Sequence, residues 1–245
     1  MRVIGSFSKG LKILSHLASH DGARLSDIAA AFDMPASNMT LFLNSLMSEG
    51  FAVKDADGYH LTARIGELAN TAAGCFSELK RVTSGIIHEL HERFDENVLL
   101  GVLSGDRLLF IERLQSSRPV QIINDATISY LPHVTAAGKA IIAFWDEARL
   151  DEYLSGTPLT KYTDRTITVK ATLREELAAV KKNGYALNRG EYEEAIMAAS
   201  VPVFLDGPIA SITVQFPSFR YSERDLERHA QEMLKCRSDR LRRVR

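Results

Sequence analysis

The sequence contains little cysteine and no long apolar run. Cys75 and Cys236 are the only cysteines among 245 residues, which gives neither a disulfide framework nor a clustered zinc site. No stretch approaches the roughly 20 apolar residues that a membrane-spanning helix requires. The opening residues, MRVIGSFSKG, also lack the long apolar segment of a signal peptide. These absences predict a soluble cytoplasmic protein with no membrane partner.

An excess of charge of either sign is also missing. The chain has 30 basic and 31 acidic residues, for a formal net charge of -1. No global electrostatic field therefore attracts it to nucleic acid or to a membrane, and any nucleic-acid contact must be local. Hydrophobic residues make up 45% of the chain, enough for a core. The length predicts one large domain or two unequal ones.

Two short helices are predicted near the N-terminus. In SFSKGLKILSHLASHDG, the apolar residues Leu11, Leu14, Leu17 and Ala18 recur at helical spacing. The stretch LSDIAAAF predicts a second helix, with Ser26 as its N-cap. Their order and shortness are typical of a small helical DNA-binding module.

A third helix and a hairpin follow. The stretch SNMTLFLNSLMSEG predicts a helix that ends at Gly50. In FAVKDADGYHLT, two strand-prone runs flank a turn that contains Asp57 and Gly58. Three helices and a hairpin predict a winged helix-turn-helix over residues 1–62. A helical pattern continues to about residue 96 with a bend at Gly74, so we assign residues 63–78 to a linker helix.

Residues 79–245 alternate strand-like and helical runs. NVLLGVLSGDRLLFIERL predicts a hairpin that turns at 104–106, and SVPVFLDGPIASITVQF a second one around Asp206 and Gly207. VQIIND is predicted as a further strand. The predicted helices are TAAGKAIIAFW, DEARLDEYLS, VKATLREELAAVKKNG and a C-terminal one that opens with Ser222 and Asp225. The pattern predicts an α+β domain with a mostly antiparallel sheet.

Three segments in this order resemble the IclR family of bacterial transcription regulators. They are LSDIAAAFDMPASNMTLFLNSLMSEGF, LPHVTAAGKAIIAFW and GYALNRGEYEEAIMAASVPVF. The resemblance covers nearly the whole chain. It implies a winged helix-turn-helix, a GAF-like effector-binding domain over 79–245, a homodimer or tetramer, and control of nearby catabolic genes by a small organic acid.

The chain also departs from that family. Leu41 stands where the family usually has an Arg in the recognition helix, and Ala36 replaces an often basic residue. Ala195 replaces a usual Gly, and Ala198 an often polar residue at the start of a strand. These differences predict a different operator sequence and a more apolar effector, such as an aromatic acid.

The third helix has two distinct stripes. Met39, Leu43, Leu46 and Met47 form an apolar stripe that faces the other helices. The opposite stripe is predicted to contact bases in the major groove, and its members are Ser37, Asn38, Thr40, Leu41 and Asn44. Asn can pair with adenine and an exposed Leu can contact a thymine methyl, so an A·T-leaning site is expected. Without Arg, each subunit lacks a guanine contact worth about 1 to 3 kcal/mol.

Phosphate contacts must then come from outside the third helix. The candidates are Lys9, Lys12, Arg24, Lys54 and Arg64. Together with Arg2 they are balanced by the acidic residues Asp21, Asp27, Asp33, Glu49, Asp55 and Asp57. The alternative hypothesis is therefore a ligand sensor whose degenerate winged helix makes protein contacts. DNA binding to a pseudo-palindromic double-stranded operator is the preferred interpretation, because the domain order favours it.

A small-molecule site is predicted at the start of TAAGKAIIAFW. Thr135, Ala136 and Ala137 begin a helix whose free N–H groups and positive dipole end can hold a carboxylate. The alternative is close packing of that helix on the sheet. The pair Gly138-Lys139 does not form a phosphate loop, since Ala140 stands where Ser or Thr is needed.

Further pocket residues are expected before and within SVPVF. Asn188, Arg189 and Glu191 could surround the same pocket, and Arg189 could pair with an acidic effector. The alternative for Arg189 is a solvated surface position. By resemblance, Asn188 is at a ligand-contacting position, and Ala198 and Ser200 line the pocket.

No catalytic or metal site is predicted. His88 and His91 share a helix face but have no evident third ligand, and no G-x-S-x-G nucleophile motif occurs. His133 is interpreted as a packing histidine rather than a general base. We therefore expect neither enzymatic activity nor a cofactor, and the sequence does not decide between repression and activation.

Overall fold

The computed structural model describes residues 4–123, 130–205 and 209–244. The chain divides into two units, Met1–Glu78 and Leu79–Arg245, each with its own hydrophobic core. Within the described ranges, no helix is long and apolar enough to cross a membrane.

Three helices and a hairpin make up most of the first unit. They are α1 (Gly5–Ser19), α2 (Leu25–Ala31), α3 (Ala36–Ser48), β1 (Ala52–Lys54) and β2 (Tyr59–Leu61). The two strands pair antiparallel, with Ala52 opposite Leu61. Gly58 lets the hairpin approach the turn after α1, because a Cβ there would lie 2.3 Å from the Gly22 carbonyl oxygen. This is the predicted winged helix-turn-helix arrangement.

Two details predicted for the first unit are wrong. Leu11 and Ala18 are exposed, whereas Ile13 and Leu17 are buried. The helix is rotated relative to the predicted stripe, because Ile13 is the residue that faces α2 and α3 in the core. Ser26 does not cap α2. The helix begins at Leu25, with Arg24 in the N-cap position, and the Ser26 hydroxyl donates to Asp27 instead.

The bend expected near Gly74 is present. Helix α4 (Arg64–Ala73) is followed by a 3-10 turn (Gly74–Phe76) and then by α5 (Ser77–Phe94). The tighter turn interrupts the helical hydrogen bonding at the point where small residues cluster in the sequence.

The second unit is built on a five-stranded sheet. Its strands are β3 (Val98–Ser104), β4 (Arg107–Leu114), β5 (Ala186–Arg189), β6 (Ile196–Val203) and β7 (Ala210–Pro217). Their order is β4-β3-β7-β6-β5, and every described pairing is antiparallel. Its helices are most of α5, then α6 (Ala136–Ile142), α7 (Glu147–Gly156), α8 (Lys170–Asn183) and α9 (Glu223–Val244).

The two faces of β7 have different neighbours. On one face, Phe216 meets Phe94 of α5 edge-on at 5.7 Å and stacks on His229 of α9 at 5.2 Å. Because side chains alternate along a strand, Thr213 and Gln215 point to the other face. That face packs against α6 and contains the cavity described below.

Two strand assignments in the second unit need correction. Within VQIIND, residues 120–123 are not a strand, and Asn124 and Asp125 lie outside the described residues. The carbonyls of Val120 and Ile122 accept from the side chains of Arg220 and Asn97, so they are not available to a neighbouring strand. Strand β5 was not predicted.

The remaining predicted features of the second unit agree with the structure where they are described. Strands β6 and β7 pair as expected, although the turn residues Asp206 and Gly207 lie outside the described residues. At the start of α9, the N–H of Asp225 donates to the Ser222 hydroxyl, and the Ser222 N–H donates to Asp225. This reciprocal pair fixes the first turn of the helix.

Candidate nucleic-acid interface and ligand cavity

Helix α3 separates a buried stripe from an exposed one. Met39 and Leu43 are fully buried in the core of the first unit. The predicted base-contacting side chains that are exposed are Ser37, Asn38, Leu41 and Asn44. Thr40 is half-buried, and its hydroxyl donates to the Ala36 carbonyl at 2.8 Å. The exposed stripe is polar apart from Leu41, which is 65% exposed.

Lys9 lies beside this exposed stripe. It lines a shallow groove between α1 and α3 together with Asn38, Leu41 and Ser45. The side chain is exposed, so its ammonium group can reach a phosphate beside the helix.

The other basic candidates belong to elements of the first unit other than α3. Lys54 of the wing lies over the Tyr59 ring at 5.4 Å, and Arg64 lies over the Phe51 ring at 5.1 Å. These contacts orient both cations while leaving them exposed. The two remaining candidates, Lys12 and Arg24, lie on α1 and immediately before α2.

The wing also carries a histidine that the sequence did not indicate. His60 Nδ1 lies 2.8 Å from Asp21 and Nε2 lies 3.0 Å from Asp55. The hydrogen bond with Asp21 raises the pKa of His60 above its usual value, and the bond with Asp55 adds to this effect. His60 thus connects the wing to the turn after α1. No local pattern could reveal a contact between residues 39 positions apart.

A cavity of about 150 Å³ lies in the second unit between the start of α6 and strands β5 to β7. Five of the eight residues predicted for a ligand site line it. They are Thr135, Ala136, Ala137, Asn188 and Ala198. The fold therefore gathers residues from two distant segments of the sequence into one wall.

Close backbone packing fixes the start of α6. The Thr135 hydroxyl accepts from the Gly138 N–H at 3.0 Å and donates to the Pro132 carbonyl at 3.3 Å. A Cβ at Gly138 would lie 2.2 Å from that carbonyl oxygen. Only glycine permits this approach, so the Gly of the AAGKA motif has a steric role. The first N–H groups of α6 are thereby held at the cavity wall.

The Asn188 side chain organises the wall as well as lining it. Its amide nitrogen donates to the Val134 carbonyl at 2.7 Å. Its amide oxygen accepts from the N–H groups of Gly190 at 2.9 Å and Glu191 at 3.1 Å. Asn188 therefore joins the segment before α6 to the loop after β5.

Three of the predicted site residues lie outside the lining. The Arg189 guanidinium pairs with Glu227 at 3.1 Å and with Glu223 at 3.6 Å, both on α9. Ser200 is buried behind the wall, and its hydroxyl lies 2.8 Å from that of Thr213. Strand alternation places Ser200 on the cavity face beside its cross-strand partner Thr213, but of the two only Thr213 lines the cavity.

Glu191 is the third of these residues, and it forms a buried ion pair. The ammonium group of Lys139 lies 2.7 Å from Glu191 and 2.9 Å from Glu176 of α8. Lys139 is fully buried. Burial raises the pKa of Glu191 above its usual value, although the charge of Lys139 opposes this shift. The pair joins α6 to the loop after β5, so it supports two walls of the cavity.

The cavity has lining residues that the sequence reasoning missed. Three are aromatic, namely Phe110, Tyr130 and Tyr192, and three are polar, namely Thr213, Gln215 and Glu193. The remaining two are Ile123 and Ile196. Alternation along β7 could have indicated Thr213 and Gln215, because both point away from the Phe216 face.

His133 lies in the turn that precedes α6 and is buried. Its Nδ1 lies 2.7 Å from the Tyr153 hydroxyl, and no partner of Nε2 is found among the described residues. Burial lowers the pKa of His133 to about 4, and the charge of Lys139 contributes. Within the described ranges, no group of three or more His, Cys, Asp or Glu side chains could hold a metal ion.

Comparison with known families identifies the chain. A sequence model of the IclR helix-turn-helix domain matches residues 6–56, and one described as bacterial transcriptional regulator IclR C-terminal matches residues 76–240. The second match alone covers more than half of the chain. The chain belongs to the IclR family.

Individual relatives extend over most of this IclR-family chain. The HTH-type transcriptional regulator KdgR of Escherichia coli K12 is 26% identical over 92% of the chain and 87% of its own length. The crystal structure of Thermotoga maritima IclR is 25% identical, with 98% of both chains covered and a TM-score of 0.75. An IclR homologue from Microbacterium hydrocarbonoxydans, solved as a complex with 4-hydroxybenzoate, is 24% identical over 95% of this chain and 99% of that one, with a TM-score of 0.74.

These matches settle the broad function of this IclR-family protein. It is a DNA-binding transcriptional regulator with a C-terminal effector domain. The predicted family and the predicted α+β fold with an N-terminal helix-turn-helix are confirmed. The relatives are transcriptional regulators, in agreement with the prediction that the chain is not an enzyme.

Proposed function

We propose that this regulator binds a pseudo-palindromic operator as a homodimer or tetramer, and that a small organic acid in the second unit controls this binding at nearby catabolic genes. The observation that carries the proposal is the cavity, which brings the start of α6 together with Asn188 and Ala198. A two-fold symmetric dimer presents two recognition helices, so two related half-sites are expected.

The cavity offers different chemistry at its two ends. The first N–H groups of α6, at Ala136 and Ala137, suit a carboxylate, because the helix start carries partial positive charge. Ala198 and the aromatic residues suit an apolar or aromatic body. A volume of about 150 Å³ fits a ligand about as large as a single ring. The 4-hydroxybenzoate held by the Microbacterium relative is an acid of this size.

The DNA contacts proposed for the first unit divide into base and phosphate contacts. Ser37, Asn38, Thr40, Leu41 and Asn44 of α3 would read bases. Lys9, Lys12, Arg24 and Lys54 would contact phosphates, because α3 supplies no cation. The exposure of Lys9, Lys12 and Lys54 supports this division.

A gel-shift experiment with the full-length protein tests the DNA-binding part. DNA flanking the protein's own gene is titrated at low salt, with a scrambled fragment of equal length as control. We expect selective retardation of the flanking fragment. Equal affinity for both fragments would contradict an operator there.

Calorimetry with the full-length protein tests the effector part. Small organic acids, 4-hydroxybenzoate among them, are titrated into the wild type, into Ala198→Phe and into Ala195→Phe. The first substitution fills the cavity, whereas Ala195 is exposed and outside the lining. We expect binding to the wild type and to Ala195→Phe but not to Ala198→Phe. Equal binding to all three would place the ligand elsewhere.

The exposed apolar side chains of the first unit favour one alternative, a winged helix that binds protein. Leu41 is 65% exposed and Phe7 of α1 is 68% exposed. Salt titration separates the two functions. A DNA complex should lose affinity on a log-log slope near about -0.9 per phosphate contact, whereas an apolar protein contact should not.

A further inference from the structure

The cavity lining has an unusual charge. Among the described residues that line it, Glu193 is the only ionisable side chain apart from the two phenols, and none is Lys, Arg or His. A purely anionic ligand would find no cationic side chain here. The one carboxylate of the lining, that of Glu193, is exposed and can pair with a ligand that brings its own positive charge.

Three aromatic rings of the cavity lining form two edge-to-face pairs that share Tyr130. The rings of Phe110 and Tyr130 are 6.1 Å apart at 62°, and those of Tyr130 and Tyr192 are 5.1 Å apart at 82°. Rings at such angles can present more than one face to a single group. Aromatic faces attract ammonium groups, and boxes of rings recognise methylated ammonium in particular.

Basic side chains in the neighbourhood are committed to other partners. Lys139 is enclosed by Glu176 and Glu191. Arg189 pairs with carboxylates of α9. Arg113 stacks over the Phe110 ring at 5.5 Å and is outside the lining. None of these three places its charge in the cavity wall.

We propose that the effector is an ammonium-bearing carboxylic acid, with its methylated or quaternary ammonium group among the rings of Phe110, Tyr130 and Tyr192 and beside the Glu193 carboxylate. The inference rests on the proposed function, since it takes the carboxylate to lie at the start of α6. Such a ligand has no net charge, and each of its ends meets a complementary part of the wall. The rings exclude water from the methyl groups while Glu193 lies at the exposed rim.

Two probes of equal shape test the ammonium directly. Trimethylammonioacetate and 3,3-dimethylbutanoate differ in one atom, a nitrogen against a carbon, so that only the first carries a positive charge. Both are titrated calorimetrically into the full-length protein, with 4-hydroxybenzoate as a third ligand. We expect the ammonium acid to bind at least about tenfold more tightly than its carbon isostere.

Variants locate the charge selectivity in the cavity. Glu193→Gln and Phe110→Leu should reduce this preference, the first by removing the carboxylate and the second by removing a ring face. Glu194→Gln and Tyr162→Leu are the matched controls. Glu194 is exposed and outside the lining, and Tyr162 touches the Tyr192 ring without lining the cavity. The controls should keep the preference.

The outcomes distinguish this inference from the proposed function. If the isostere binds as tightly as the ammonium acid, or if 4-hydroxybenzoate binds and neither aliphatic probe does, the ammonium inference is overturned while a small-acid effector stands. If no acid binds and the protein still binds its operator, the small-acid part of the proposed function fails together with the inference. If Glu193→Gln and Phe110→Leu keep the preference for the ammonium acid over its isostere, the ammonium inference is also overturned.

Discussion

The exposed stripe of α3 and the cavity beside α6 are assembled in opposite ways. The stripe takes its side chains from one helix within residues 37–44, and its members need no contact with one another. The cavity takes its lining from segments between Phe110 and Gln215, held by buried ion pairs and side-chain hydrogen bonds. A site on one helix therefore tolerates changes that a site built across the fold does not. Substitutions on the stripe should therefore change DNA affinity without disturbing the fold, whereas substitutions around the cavity should lower the free energy of unfolding.

The largest effect is expected from breaking the buried ion pair. Lys139→Met leaves Glu191 buried without its counter-charge, which should lower the free energy of unfolding by about 3 to 5 kcal/mol. Lys139→Met combined with Glu191→Gln should recover most of the loss. Urea titration followed by fluorescence of Trp145, the single tryptophan, reports on the second unit. Lys182→Met on the exposed end of α8 is the control. An equal loss of unfolding free energy in that variant would contradict a stabilising role of the buried ion pair.

Acid should weaken the second unit through His133. Its pKa is about 4 in the folded state and about 6.5 when unfolded, so the unfolded chain binds the proton first as the pH falls. This contribution to stability is complete above about pH 6.5 and is lost between about pH 6.5 and 4, by about 3 kcal/mol. His133→Asn should flatten the pH dependence of urea unfolding. His88→Asn, at an exposed position, should leave it unchanged.

A single added charge on α3 should strengthen DNA binding without disturbing the fold. Leu41→Arg places a guanidinium on the exposed stripe, where a guanine contact would contribute about 1 to 3 kcal/mol. We expect tighter binding in fluorescence anisotropy with labelled operator. Val169→Arg, which adds the same charge at an exposed position of the second unit, is the control. No gain over Val169→Arg would count against α3 as the recognition helix.

The smallest effect is expected from neutralising one phosphate-binding lysine. Lys9→Gln, Lys12→Gln and Lys54→Gln should each weaken operator binding several-fold, and each should make the log-log salt slope shallower by about 0.9. Lys182→Gln should alter neither quantity. A slope that is unchanged in all three variants would favour the protein-contact alternative for the winged helix.

The sequence predicted best those features that depend on neighbouring residues. The recognition-helix stripes follow from the spacing of Met39 and Leu43, and the two hairpins of the second unit from turn residues between strand-prone runs. The strand predicted at VQIIND was wrong over residues 120–123, because the side chains of Asn97 and Arg220 bond to its carbonyls from elsewhere in the fold. The local sequence pattern does not indicate hydrogen-bond donors that come from distant parts of the chain.

The sequence by itself determined the family, the start of α6 as a cavity wall, and the order of elements apart from β5 and the strand wrongly predicted at VQIIND. Periodicity, turn chemistry and the AAGKA motif are properties of short segments, and they act through nearest neighbours. Only the tertiary structure decided that Glu191 pairs with Lys139 and that Arg189 pairs with α9, so that neither side chain lines the cavity. It also placed Phe110, Tyr130 and Tyr192 around one cavity. Long-range packing determines which charges meet, and that packing has no signature in a short stretch of sequence.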